Sequence, residues 1–242
     1  MENVFIATEN STRFNDICRE LEDPMSKIGP SLAMVTGPAG RGKSEAAKKY
    51  AAKTDAIYIK PMTVRGPLML LQEITFELEM VKPGRISGCM DVVESAMDKM
   101  RRIIIVDEAD LIPIKLLEML RNMNENCSCP VVLIGEENLK RMIGSRDRLN
   151  SRIRRRMEFS PVAQADVALF FRKALLQEIP PEHVSKIQRV ARGDWRPVLA
   201  MAANIERLME TNGLSQATSS LIEEAVQSYE NENSKNSKDR SR

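Results

Sequence analysis

The chain has 242 residues, of which 43% are hydrophobic and 29% are charged, and its formal net charge at neutral pH is +2. This length and composition are typical of a soluble globular protein with one large domain, or with a core domain and a smaller second one. No apolar run approaches the roughly 20 residues that cross a bilayer, the charge is not that of a simple, strongly basic DNA-binding domain, and the N-terminus lacks a signal-peptide pattern, so we expect a cytoplasmic protein without a membrane partner.

The first two thirds of the chain alternate between short apolar runs and segments of helical periodicity. The apolar runs predict strands over 31–36, 56–59, 103–106, 130–134 and 156–159. The periodic segments predict helices over 10–22, 43–53, 66–80, 88–101, 114–125, 137–143 and 146–152. Such alternation indicates an α/β fold, in which a parallel sheet is covered by helices on both faces.

The remainder of the chain has no further apolar strand. Helical periodicity continues over 164–178, 181–191, 195–211 and 215–228. We therefore expect an α/β core domain over residues 1–162 and a small all-helical domain over 163–228. The last residues, 229–242, are polar and charged without apolar anchors, which predicts a disordered tail.

A glycine-rich turn connects the first predicted strand to the helix at 43–53. It matches the phosphate-binding pattern GxxxxGK(S/T) in full, with the residues Gly37, Pro38, Ala39, Gly40, Arg41, Gly42, Lys43 and Ser44. The glycines let backbone N–H groups surround phosphate oxygens, and the helix N-terminus adds a favourable dipole. We expect Lys43 to contact the β- and γ-phosphates of a nucleotide and Ser44 to coordinate its Mg²⁺.

Two carboxylates, Asp107 and Glu108, follow the third predicted strand directly. Ligands of such folds bind at the carboxyl ends of the strands, so these side chains are expected beside the phosphate-binding loop. Asp107 would hold Mg²⁺, directly or through water, and Glu108 would polarise the attacking water. For Asp110, the interpretation as an acidic helix cap stays open.

Two further polar positions are candidates for sensing the nucleotide. The strand between the phosphate-binding strand and the acidic strand should end in a sensor of the terminal phosphate, and Glu136 is at that point, with Asn138 as its competitor. In the helical part, Arg196 stands in the run GDWRP at a predicted helix start. It either reaches over the nucleotide or is an exposed arginine, and its neighbour Trp195 is expected in the helical core.

These motifs, in this order, resemble those of the AAA+ ATPase family over residues 10–228. The strand VVLIGEENL, the following RLNSRIRRR and the GDWRP segment resemble, within that family, the DNA transposition ATPases of the Mu B, TnsC and IstB type. The resemblance implies ATP hydrolysis with ATP and Mg²⁺ as cofactors. It also implies a homo-oligomer, a ring or a helical filament, with each ATP site between two subunits.

Six arginines lie in RDRLNSRIRRR, residues 146–156, beside a single acid. The resemblance implies that one of them completes the ATP site of a neighbouring subunit as an arginine finger. Arg152 matches that position, and Arg148, one helical turn earlier, is the alternative. Arg154 to Arg156 enter a predicted strand, so alternate side chains should point to opposite faces. For these three, contact with DNA, contact with an acidic partner and plain solvation stay open.

Basic and polar residues next to two predicted strands are candidates for contacts with double-stranded DNA in the pore of a ring or filament. They are Lys60, Thr63 and Arg65 after the second strand and Lys99, Arg101 and Arg102 before the third. Surface solubility is the competing interpretation for each. Because the charge is spread, we expect binding to be backbone-directed, sequence-tolerant, salt-sensitive and dependent on oligomerisation.

The four cysteines and the single histidine do not suggest a metal centre. Cys127 and Cys129 have the wrong spacing for a zinc knuckle, and Cys18 and Cys89 do not complete one, so we expect reduced thiols. One histidine, His183, also argues against a Ser-His-Asp triad.

The predicted function is regulation of DNA transposition by an ATPase that captures target DNA and activates a transposase. A replication helicase loader or initiator is the alternative, and a nucleotide-switch adaptor that binds only protein is the third possibility. We expect no strand cleavage, because no carboxylate cluster of the nuclease type remains once the ATP site is assigned.

Overall fold

The computed structural model describes residues 1, 4–23, 29–61 and 66–239, and of residues 233–239 only the backbone. The chain divides into two compact units, one of Glu9–Phe159 and one of Ser160–Arg242 together with Met1–Thr8. The first residues therefore group with the C-terminal unit, whereas we expected residues 1–162 to form one core. Within the part of the chain that is described, no helix has both the length and the apolar character needed to cross a bilayer.

Five parallel strands form one sheet in the first unit. They are β1 (Leu32–Thr36), β2 (Ile57–Ile59), β3 (Ile104–Val106), β4 (Val131–Ile134) and β5 (Ile153–Glu158). Their order across the sheet is β2-β3-β4-β1-β5. As predicted, β4 lies between the phosphate-binding strand β1 and the acidic strand β3, and β2 and β5 form the two edges.

Helices cover both faces of this sheet. They are α1 (Glu9–Glu22), α2 (Lys43–Ala51), α3 (Pro67–Glu79), α4 (Ile86–Lys99), α5 (Ile114–Asn126), α6 (Glu137–Gly144) and α7 (Asp147–Asn150), with a 3₁₀ turn at Ala109–Leu111. Because side chains alternate along a strand, Met34 of β1 packs with α3, α4 and α5, while its neighbour Val35 packs with Phe14 of α1 and with α2. Both faces are buried, which is the three-layer α/β arrangement expected from the sequence.

The edge strand β5 begins before residue 156, where we expected it, and it contains a bulge. Leu32 lies opposite Ile153, but the next residue of β1, Ala33, lies opposite Arg155, so Arg154 is the extra residue of the bulge. A bulge interrupts the alternation of side chains. The expectation that successive arginines here would point to opposite faces is therefore wrong for Arg154 and Arg155, which both reach the same carboxylate of α1.

The second unit is helical. Its helices are α8 (Gln164–Ala174), α9 (Pro181–Ala191), α10 (Trp195–Thr211) and α11 (Ser219–Asp239), and they share one apolar core. Trp195 packs edge-on against Phe170 with ring centroids 5.7 Å apart, which confirms its place in that core. The prediction of a disordered tail from residue 229 differs from the structure, because α11 continues through Asp239.

Candidate nucleotide-binding site

The phosphate-binding loop joins β1 to α2 and depends on its glycines for its shape. Gly42 caps α2 in the left-handed conformation, with φ of 91°. Gly37 has φ of 148°, and a Cβ there would lie 3.1 Å from the carbonyl oxygen of Phe159. A larger residue would meet backbone at this point. The loop therefore ends at the N-terminus of α2, where backbone N–H groups and the helix dipole favour an anion.

The Lys43 side chain lies inside this loop. Lys43 is only 8% exposed, and its Nζ donates hydrogen bonds to the carbonyl oxygens of Gly37 (2.6 Å) and Pro38 (2.8 Å). These two carbonyls compensate a buried ammonium that would otherwise be costly. The ammonium group thus lies inside the loop that precedes α2, bound to two of the loop's own carbonyl oxygens.

Asp107 is held from three directions at the carboxyl end of β3. The residue is 2% exposed. Its backbone N–H donates to the Ile59 carbonyl of β2 (2.8 Å), its Oδ2 accepts from the Tyr58 hydroxyl (2.6 Å), and its Oδ1 accepts from the Glu108 backbone N–H (3.0 Å). Burial, followed by the hydrogen bond to Asp107, raises the pKa of Tyr58 above its ordinary value, so Tyr58 is the donor.

Glu108 turns away from the strand and pairs with Lys60. Its backbone is left-handed, with φ of 53°, and its Oε1 lies 2.8 Å from the Nζ of Lys60 at the end of β2. The hydrogen bond to Glu108 raises the pKa of Lys60 above its ordinary value. Each side chain is 38% exposed. The carboxylate that we expect to polarise the water is therefore paired with Lys60, a role that neither DNA contact nor surface solubility predicts for this lysine.

Asp110 joins the acidic segment to the end of β4. Its Oδ1 accepts a hydrogen bond from the backbone N–H of Glu136 (3.2 Å), and its backbone carbonyl accepts one from Asn138 Nδ2 (3.4 Å). Both Glu136 and Asn138 are exposed. Helix α5 has Pro113 at its N-cap and no side-chain cap. Asp110 thus links the 3₁₀ turn to the end of β4, and its side chain does not cap α5.

The arginine-rich segment is largely paired within its own unit. Arg152 forms an ion pair with Glu125 of α5, which also pairs with Arg121. The hydrogen bond from Arg152 is the main reason why the pKa of Glu125 lies below its ordinary value. Arg154 and Arg155 both pair with Glu20 of α1, at Nε–O distances of 3.5 and 2.8 Å, and Arg156 donates to the Oδ1 of Asn150 (2.6 Å) and to its carbonyl.

Two of the exposed candidate arginines, Arg148 and Arg196, have no ion pair with the described residues, unlike Arg152. Arg196 is also exposed and stands in the first turn of α10, where its backbone N–H donates to the Asp194 side chain (2.7 Å). Asp194 is therefore the N-cap of this helix, and it fixes the backbone from which the Arg196 side chain extends.

The residues considered for DNA contacts do not form one surface. Lys60 follows β2 at the carboxyl edge of the sheet, whereas Lys99, Arg101 and Arg102 precede β3 at the opposite, amino edge. Those three also have partners in the chain: Lys99 pairs with Glu79 (3.1 Å), and the two arginines donate to backbone carbonyls of Leu21, Asp55 and Leu78. Thr63 and Arg65 lie outside the described residues.

The side chains at the carboxyl edge fit a nucleotide with Mg²⁺. One strand separates β1 from β3, so their ends are about 10 Å apart, which is a span that a triphosphate with its metal can bridge. Lys43 supplies positive charge inside the loop, and Ser44 places a hydroxyl in the first turn of α2. Mg²⁺ is usually held by one or two carboxylates together with phosphates and water. Asp107, a buried carboxylate with its oxygens oriented, suits that role.

Comparison with known proteins gives one family match and several relatives. The AAA domain family model matches residues 27–143. The ATP-dependent target DNA activator B of Escherichia phage Mu is 31% identical over 151 residues, covering 59% of this chain and 48% of that protein. The Mu-like prophage FluMu DNA transposition protein B of Haemophilus influenzae is 31% identical over 136 residues, covering 55% of this chain and 46% of its own length. The chain spans about half the length of these relatives.

A likeness in structure extends further along the chain. The Aeropyrum pernix ORC2 protein superimposes with a TM-score of 0.67 over 95% of this chain and 70% of that one, at 16% sequence identity. At this identity the likeness shows the fold alone. The family match ends at residue 143, so it includes the phosphate-binding loop and the acidic pair but neither the arginine-rich segment nor the second unit.

Sequence reasoning missed three contributors to the site. The sequence indicates only that Tyr58 is part of the second strand, that Lys60 is a DNA contact or a solubilising surface residue, and that Asp110 is a possible helix cap. Each acts through a partner at least 26 residues away in the chain. The signal that was available is their position at or beside strand ends that meet at one edge of a parallel sheet.

Proposed function

We propose that the chain is an AAA+ ATPase close to those of DNA transposition and that it acts as an ATP-dependent regulator of transposition. In its ATP-bound form it binds duplex DNA through the backbone, without sequence preference, and it recruits or activates a transposase. ATP hydrolysis releases it from DNA. The observation that carries this proposal is that the buried Lys43 loop and the Asp107–Glu108 strand end lie at the same edge of the sheet, in a chain that resembles a target DNA activator.

The proposed hydrolysis uses the residues of the carboxyl edge. The backbone N–H groups of loop residues 39–44 and the Lys43 ammonium bind the phosphates, and Ser44 and Asp107 hold Mg²⁺. When bound, Mg²⁺ neutralises charge on the phosphates. Glu108 orients the attacking water and accepts its proton, which requires Glu108 to leave its ion pair with Lys60.

A neighbouring subunit completes this site in the proposed oligomer. Arg152 is the proposed arginine finger, and it must exchange its bond with Glu125 for the phosphate of the neighbour's ATP. Arg148, which is already exposed, is the alternative finger. A finger supplied in trans typically contributes about 10³–10⁵ in rate. Arg196 is proposed to report on the bound nucleotide from the helical unit, and Glu136 or Asn138 from the end of β4.

Binding to random-sequence duplex DNA tests the proposal directly. The purified protein is measured by fluorescence anisotropy with ATP, with ADP and without nucleotide, at several salt concentrations. Lys43→Ala is compared with Lys48→Ala, a matched control, because Lys48 is an exposed lysine on the same helix. Glu108→Gln tests whether hydrolysis ends the DNA-bound state.

The expected result is binding that needs ATP, falls with salt and persists longer in Glu108→Gln. Lys43→Ala should lose binding and Lys48→Ala should keep it. Stimulation of a transposase is then the next assay. If the protein hydrolyses ATP but ignores DNA in every nucleotide state, the transposition function is refuted, and an adaptor that binds only protein replaces it.

A further inference from the structure

The edge strand β2 is connected to the acidic strand end by a side chain that no motif includes. Tyr58 is in the middle of β2, and its hydroxyl donates to Asp107 Oδ2 at 2.6 Å. The next residue, Ile59, accepts the backbone N–H of Asp107 at 2.8 Å. Two consecutive β2 residues therefore hold Asp107, one through its side chain and one through its main chain.

These contacts leave the carboxylate few orientations. With Oδ2 bound to Tyr58 and Oδ1 to the Glu108 N–H, rotation about the Cβ–Cγ bond of Asp107 would break a hydrogen bond on each oxygen. Each carboxylate oxygen has a second lone pair, so both remain able to accept another partner. Hydrogen bonds to an ionised acceptor are also stronger than those between neutral groups.

We propose that Tyr58 is a positioning residue for the Mg²⁺-linked binding of nucleotide, since its hydroxyl holds the Asp107 carboxylate in the orientation that the metal's ligand shell needs. This inference rests on the proposed ATPase function. Groups that orient a metal-binding side chain typically change metal affinity by about 10- to 100-fold when they are removed. Tyr58 does not itself contact the nucleotide in this role.

Tyr50 provides a matched control. Its hydroxyl donates to the carboxylate of Glu22, so Tyr50→Phe removes the same kind of bond, at the C-terminal end of α2. Tyr58→Phe likewise keeps the aromatic ring, which packs against the core on the α1 and α2 side of the sheet. A purely structural role for the Tyr58 hydroxyl predicts that the two variants behave alike.

The experiment measures the binding of a fluorescent ADP analogue to the full-length protein, first in EDTA and then during a Mg²⁺ titration. Wild type, Tyr58→Phe and Tyr50→Phe are compared below the melting temperature of all three. For Tyr58→Phe we expect unchanged affinity in EDTA and a Mg²⁺ half-saturation raised by about tenfold. For Tyr50→Phe we expect the wild-type Mg²⁺ curve.

A second comparison protects the test against a general loss of stability. In an Asp107→Asn background, adding Tyr58→Phe should not shift the Mg²⁺ half-saturation further, because the charged acceptor is already gone. Additive shifts would overturn the inference, as would a Tyr58→Phe curve that coincides with wild type. Wild-type binding without any Mg²⁺-dependent component would overturn the proposed ATPase site and this inference together.

Discussion

Replacing Gly135 by alanine should disturb the hydrogen bond between Asp110 and the Glu136 backbone N–H at the end of β4. Gly135 follows β4, and a Cβ built on it would lie 2.4 Å from Asp110 Oδ1 and 2.9 Å from Leu139 Cβ. Both distances are shorter than real Cβ contacts allow. The Asp110 carboxylate must therefore turn away and give up the Glu136 N–H, and α6 must shift at Leu139.

The magnitude follows from these two contacts. Forcing a methyl group into filled space typically costs about 1–3 kcal/mol, and the exposed Glu136 N–H regains water when it loses Asp110, so the lost bond adds little. The alanine gains about 0.4–1 kcal/mol by restricting the unfolded chain. A net loss of about 1–2 kcal/mol remains, which lowers the melting temperature of a chain of this size by about 2–8 °C.

Gly144→Ala is the matched control, because nothing lies within 4 Å of a Cβ at this last residue of α6. It should be neutral or slightly stabilising. Urea unfolding of both variants and of wild type measures the difference, and phosphate release measures turnover, which should fall only in Gly135→Ala. Equal unfolding midpoints and equal turnover for the two alanine variants would refute the reasoning.

Three more outcomes are expected. Lys60→Met should leave thermal stability unchanged, because the Lys60–Glu108 ion pair is solvent-exposed. It should raise ATP turnover in the absence of DNA, because Glu108 is then free of the lysine. An unchanged rate of phosphate release contradicts this. The hydrogen bond from Arg152 lowers the pKa of Glu125, so the pair stabilises the fold above the ordinary pKa of glutamate and loses this effect as the pH falls through the lowered pKa. The free energies of unfolding of wild type and Glu125→Gln should therefore converge in acid. A difference that persists in acid would count against the pair. Asn124→Ala should lower the free energy of unfolding by about 1–3 kcal/mol, because the buried amide donates to the Cys129 carbonyl (2.6 Å) and to the Ser31 hydroxyl just before β1. A smaller loss, measured by urea unfolding, would show that water replaces the amide.

The parts of the fold that depend on local pattern could be predicted from the sequence. The phosphate-binding loop is a contiguous motif, so its strand-turn-helix context was readable, and helices such as Pro181–Ala191 and Trp195–Thr211 begin and end where periodicity and capping indicate. The placement of Lys43 and Asp107 at the same edge of the sheet follows from the parallel direction of the strands alone.

The features that depend on the order and register of the strands could not be predicted from the sequence. The bond between Tyr58 and Asp107 spans 49 residues, and it requires knowing that β2 lies beside β3 and how the two are aligned. No glycine or proline in the sequence of β5 indicates the bulge at Arg154, so the sequence alone predicts strictly alternating side chains for this strand. The cluster of arginines likewise looked unpaired, because Glu20 and Glu125 lie far from it in the chain.

Both edge strands of the sheet, β2 and β5, are unsuited to the addition of another strand. A margin strand with unpaired N–H and C=O groups is a template on which another chain can add, and short, kinked or charged margins prevent it. Here β2 has only three residues, while β5 is bulged and carries exposed arginines at 155 and 156. These two edges therefore disfavour the addition of a strand from a second copy, which is the step by which amyloid-like stacking begins.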